Sequence, residues 1–148
     1  MSRLWLSLVL AAVLSACTSA APFASWPSGP ADIQAKRFET VPDRAIIYVV
    51  RVLQDLGNVP ATLWLDNQVM GATYMGTYFR WEVPAGQHLI AGYGSDNGMI
   101  RLDVQPGRIY YVQQVVRGGA RANSPYSTFR ILNERDGRAL VSRAVLIT

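Results

Sequence analysis

The feature that most limits what this chain can fold into is a steady beat of short apolar, β-branched segments broken by turn residues. Residues 45–52 (AIIYVVRV), 61–66 (ATLWLD), 68–74, 77–83 (TYFRWEV), 87–95, 99–104, 108–116 (RIYYVQQVV) and 126–132 all follow this rule. Between them stand Asp66-Asn67, Pro84-Ala85-Gly86, Asp96-Asn97-Gly98 and Pro106-Gly107. Segments of that length with those residue types read as strands, and Asp-Asn between two of them reads as a tight hairpin. No helical period competes, apart from a helical turn over 31–37 and a short helix or turn over 134–143 before a last strand at 144–147. Seven or eight short strands at this spacing predict an all-β fold, a small antiparallel β-sandwich. Alternation puts Phe79, Trp81 and Val83 on one face of their strand and Tyr78, Arg80 and Glu82 on the other.

Ahead of that domain the composition changes. Residues 18–43 are rich in Ala, Ser and Pro, which bury little surface and read as a flexible linker. As a coil they would reach roughly 25–30 Å. Phe38 and Val41 are expected to dock on the edge of a domain that starts near Arg44 and runs to Thr148.

The first sixteen residues, MSRLWLSLVLAAVLSA, carry one early positive charge at Arg3 and an apolar stretch from 4 to 14. That is the build of an export signal, and too short to span a bilayer comfortably. It ends in Leu14-Ser15-Ala16-Cys17, which resembles the bacterial lipobox. Cleavage is expected between Ala16 and Cys17, with Cys17 taking a diacylglyceryl thioether and then an N-acyl chain. Two or three chains give stable anchoring where one is marginal. Thr18 after the cysteine, rather than an acid, points to an outer-membrane anchor with the domain facing the periplasm.

One cysteine and one histidine leave no disulfide within the chain and no metal site built on several such ligands, so neither metal nor cofactor is expected. The net charge is +4, with a single lysine, Lys36, among 14 basic residues. Six arginines (117, 121, 130, 135, 138 and 143) face only Glu134 and Asp136 in the last stretch. That end reads as a solvated rim, or as a surface for anionic lipid, lipopolysaccharide phosphate or an acidic protein patch. Nucleic acid is not an expected partner, because an exported chain does not meet it and no binding motif is present.

Four elements give a family likeness. The strand Ala45-Ile46-Ile47-Tyr48-Val49-Val50-Arg51 resembles the "aviYvyR" opening of bacterial lipoproteins grouped as domain-of-unknown-function family 2846. Leu63 to Gly71 resembles that family's "vyvDgk.vG" hairpin. Gly76 to His88 resembles its "gyf…vpPGkH" element, and Val104 to Val112 its "v.pGkiYYv" strand. The hairpin and the Pro-Ala-Gly-Gln-His run are also similar to PEGA-type β-modules. The resemblance runs from about Ala45 to Val116, with Gln or Arg where the family tends to have lysine in the turns. It implies a small β-sandwich and an envelope location, and no reaction.

Candidate chemistry is thin. His88 could serve a Ser-His-Asp triad with Asp66, Asp96 or Asp103 behind it, but no serine occupies a strained strand-to-helix turn, and a structural role is the expectation. Glu82 and Asp103, both on strands, are the pair to consider for carboxylate chemistry, and both should face out. Gly118-Gly119 lacks the phosphate-loop pattern. No catalytic residue is therefore assigned. The aromatic side chains Trp64, Tyr78, Tyr93 and Tyr110, with Arg80, form a candidate surface for a protein or a glycan. The leading expectation is a membrane-anchored periplasmic lipoprotein whose non-enzymatic β-domain binds another envelope protein. The alternative is a binder of peptidoglycan or lipopolysaccharide.

Overall fold

A computed structural model describes residues 29–51, 59–92, 98–118 and 125–148. The expected export signal, the cleavage and lipidation site at Ala16 and Cys17, the linker up to residue 28, Tyr93, Asp96 and Arg121 lie outside them.

Among the described residues nine strands form two sheets. β1 (Ala45–Arg51), β4 (Thr77–Val83), β7 (Ile109–Arg117), β8 (Tyr126–Leu132) and β9 (Val145–Leu146) make one, in the order β8-β7-β1-β4-β9. β2 (Ala61–Leu65), β3 (Gln68–Thr73), β5 (Gly86–Gly92) and β6 (Met99–Val104) make the other, in the order β3-β2-β5-β6. The sandwich expected from the turn rhythm is present. Its larger sheet is mixed, because β1 runs parallel to β7 and β4 parallel to β9. The chain leaves for the smaller sheet between β1 and β4 and again between β4 and β7. β7 therefore returns beside β1 by a crossover, where a hairpin would have made it antiparallel.

Between the sheets lies a core of Ala45, Ile47, Val49, Leu63, Phe79, Trp81, Ile90, Leu102 and Val112. Ile46, Tyr48, Val50, Tyr78 and Tyr111 point the other way and are buried as well. Every residue of β1 is buried, which accounts for its unbroken apolar run: a strand covered on both faces does not alternate.

The second cover is helical. α1 (Pro30–Ala35) and α2 (Glu134–Arg143) lie on the back of the five-stranded sheet. α2 starts on Asn133, whose side chain accepts from the Asp136 N–H at 2.9 Å, a standard N-cap. It comes close to the sheet through Gly137, where a Cβ would stand 2.2 Å from the Tyr111 ring. Phe38, at φ +54°, turns its ring against the stacked pair Tyr48 and Tyr111, and the Arg138 guanidinium lies over it at 4.9 Å. The expected linker thus folds from Pro30 onward and belongs to the domain, which starts well before Arg44. Its Ala- and Pro-rich composition hid Asp32 and Ala35, both buried against the sheet.

Candidate functional site

The two motif residues Asp66 and His88, 22 positions apart, meet. Asp66 and Asn67 both take positive φ, 51° and 66°, the geometry of the tight hairpin turn read from the sequence. The turn directs Asp66 at β5. Its Oδ1 accepts the Leu89 N–H at 2.8 Å and its Oδ2 lies 2.6 Å from His88 Nδ1. On the far side of the ring, Nε2 is 2.9 Å from the Pro84 carbonyl oxygen. Both neighbours are acceptors, so the ring satisfies them only as an imidazolium donating from both nitrogens. Burial alone would lower the His88 pKa, but the bonds to Asp66 and Pro84 outweigh it and hold the ring above its ordinary value. For Asp66, burial would raise the pKa, while the Leu89 N–H and His88 hold it below the usual carboxylate range. A base needs a free lone pair on the nitrogen facing its substrate, and the Pro84 carbonyl occupies that place. The pair ties the β2–β3 hairpin to the β4–β5 turn.

The carboxylates considered for hydrolysis do not meet. Glu82 is on the helix-side face of β4 and bonds Arg80 at 2.7 Å. Asp103 is on the outer face of β6 in the other sheet. Among the described residues no group of three or more His, Cys, Asp or Glu could hold a metal.

The aromatic set also separates. Trp64 is half-buried on the outer face of the four-stranded sheet. Tyr110 packs against the inter-sheet core rather than facing out, with its hydroxyl accepting the Gln105 N–H at 3.0 Å. Tyr78 is a correction: it lies on the face that alternation gave it, but that face is covered and the residue is fully buried. Its hydroxyl donates to Asp32 Oδ1 at 2.8 Å. Burial and then the Asp32 carboxylate push its pKa up. Asp32 is itself 2% exposed and also accepts the Leu146 N–H at 2.9 Å and Lys36 Nζ at 2.7 Å. α1, β4 and β9 are thereby pinned through one carboxylate that composition gave no reason to single out.

A second buried polar system stands where β1, β3 and β7 end and β8 begins. Arg51 donates to the Val59 and Thr73 carbonyls, Thr73 Oγ1 donates to Gln114 Oε1 at 2.6 Å, and Gln114 Nε2 donates to Ser127 Oγ at 2.8 Å. The sequence carried one signal for it, an arginine closing an otherwise apolar strand.

What remains is a groove of about 620 Å³ along the outer edge of β4. Phe79 and Trp81 of β4 and Met70 of β3 line its inter-sheet side. Arg80, Glu82 and Glu39 line its helix side. β9 covers only Thr77 and Tyr78 of that edge. The last backbone bond onto it is from the Ile147 N–H to the Tyr78 carbonyl, 3.0 Å. N–H and C=O groups alternate sides along a strand, so those of Arg80 and Glu82 face the groove too. The Glu82 carbonyl accepts from Arg44 Nη2 at 2.7 Å, in line with that direction. Of the candidate surface, Arg80 lies here, while Trp64 and Tyr110 lie elsewhere.

No protein-family model matches this chain, and no curated protein matches it. The likeness to the lipoprotein family rests on the four sequence elements alone.

Proposed function

We propose that this chain is a bacterial lipoprotein, anchored through lipid on Cys17, whose β-domain is a non-catalytic module that binds another protein of the envelope. The observation that carries the reading is the β4 groove: a sheet edge with no partner strand among the described residues over Arg80–Glu82, with an apolar wall and a charged wall. β3, β6 and β8 also end their sheets, but the β4 edge borders a groove in which an added strand would bury apolar side chains, and open edges are where other chains add. His88, with both ring nitrogens bonded, fits a structural part rather than an acid–base one. The tether rests on the signal-like segment and the lone cysteine. Among the described residues no helix is long and apolar enough to cross a membrane. Thr18 supports placement at the outer membrane, facing the periplasm.

The test is crosslinking in intact cells with a tagged full-length chain, then purification from detergent-solubilised envelope, with Cys17→Ser as control. One dominant protein adduct that depends on Cys17 supports the reading. Enrichment of muropeptides or lipopolysaccharide with no protein adduct replaces it with the glycan-binding one. Among the described residues the aromatic side chains that reading needs do not share a face.

A further inference from the structure

Building on the protein-binding reading, we infer that the groove takes an extended peptide, which adds to β4 as an antiparallel strand, with an acidic residue opposite Arg80 and a basic residue opposite Glu82.

The backbone argues for a strand. Arg80 and Glu82 present their N–H and C=O groups to the groove two residues apart, roughly 6.6–6.8 Å along the strand. Outside the sheet's own ladder, the only bond to them among the described residues is from Arg44 to the Glu82 carbonyl. A row of alternating donors and acceptors at that spacing is matched by another extended backbone. The fold already lays a strand on this edge: the two-residue β9 pairs with Thr77 and Tyr78, running parallel to β4, and an antiparallel guest would make the slightly more stable kind of pairing.

The walls argue for its sequence. A strand beside β4 turns alternate side chains to the two sides of the sheet. On the inter-sheet side they meet Met70, Phe79 and Trp81, which are apolar. On the other side they meet Arg80 and Glu82, now bonded to each other at 2.7 Å. Directly opposite positions on an antiparallel pair bring Cβ atoms about 4.5–5.5 Å apart, and opposite charges there are favourable. The peptide therefore reads basic–apolar–acidic–apolar, its basic residue facing Glu82 and its acidic residue facing Arg80.

The probe is the synthetic peptide Thr-Val-Lys-Val-Glu-Val-Thr, compared with Thr-Val-Glu-Val-Lys-Val-Thr, which has the same composition with its charges exchanged. Binding to the mature chain carrying Cys17→Ser is followed by calorimetry and by amide shifts at Arg80 and Glu82. Each cross-strand charge pair contributes about 0.2–1 kcal/mol and the peptides differ at both positions, so the first peptide should bind roughly two- to thirtyfold more tightly than the second. The variant R80E/E82R, which keeps the ion pair within β4, should reverse that preference. N-methylation of the Lys and Glu amides, which face β4, should abolish binding. N-methylation of the central Val amide, which faces away, should not. Equal binding of the two peptides, preference for the second, or indifference to the methylated positions overturns the inference. A Cys17-dependent protein adduct in cells alongside such a result leaves the protein-binding reading standing with another surface. Selective peptide binding with no adduct in cells removes that reading and not the chemistry of the groove.

Discussion

Replacing Asp66 by Asn separates the charge on the Asp66–His88 pair from everything else that Asp66 does. Asn tolerates positive φ, so the turn at 51° and 66° survives. Its side-chain oxygen can still accept the Leu89 N–H now held at 2.8 Å. What is lost is the negative charge 2.6 Å from His88 Nδ1. A hydrogen bond to a charged group contributes about 1.5–3 kcal/mol. The Asp66 side chain is 45% exposed, so solvent screening brings the expected loss to about 1–1.5 kcal/mol. For a domain of this size that is a fall in Tm of roughly 3–8 °C. The loss depends on pH. His88 is held above its ordinary pKa of about 6.5, so its contribution is complete below that value and disappears as pH rises through the folded-state pKa. Asp66 is held below its ordinary value of 3.8, so its contribution is complete above that value and disappears as pH falls through the folded-state one. The pair therefore stabilises most between roughly pH 4 and 6.5. Thermal unfolding of wild type and Asp66→Asn at pH 5.5 and 8.5, followed by circular dichroism, reads this directly. The gap between them should be wide at pH 5.5 and smaller at pH 8.5. An equal gap at both values, or none at pH 5.5, refutes the reasoning.

Gly137→Ala should destabilise although alanine favours helix by about 1 kcal/mol. The new methyl would stand 2.2 Å from the Tyr111 ring, and overpacking of that kind costs roughly 1–3 kcal/mol; a urea midpoint above wild type would count against it. Asp32→Ala leaves the Tyr78 hydroxyl and the Leu146 N–H without their acceptor, with a loss of about 2–4 kcal/mol and faster amide exchange at Leu146. Unchanged exchange there would mean that Asp32 does not pin β9. Tyr111→Phe removes a buried hydroxyl that makes no well-formed hydrogen bond among the described residues and has the Arg138 guanidinium nearby, so stability should change by no more than about 1 kcal/mol, and a larger fall in the urea midpoint would contradict that.

Strand positions were legible because the signals for them are local. Pro and Gly break the chain where the strands end, and Asp66-Asn67 specifies its turn by φ alone. The layers were less legible. Alternation put Tyr78 and Trp81 on opposite faces of β4, as found, but it cannot say whether a face meets water or a helix. That was decided by residues 30–38, whose composition suits a linker and whose place depends on one carboxylate reaching Tyr78 from 46 positions away. The parallel pairing of β7 with β1 has no local signature, since it follows from crossovers between sheets. In the candidate site, the meeting of Asp66 with His88 was one of three pairings open in the sequence. The groove was not visible, because its walls come from α1, β3, β4 and the chain after β9.

The most direct test of the central claim places a photo-crosslinking residue at Thr40, on the groove, or at Arg101, on the outer face of the four-stranded sheet, in cells making the full-length chain. A lipid-tethered module that binds through the β4 groove should give one protein adduct from position 40, lost in Cys17→Ser, and none from position 101. The same adduct from both positions, or one from position 101 alone, would contradict it.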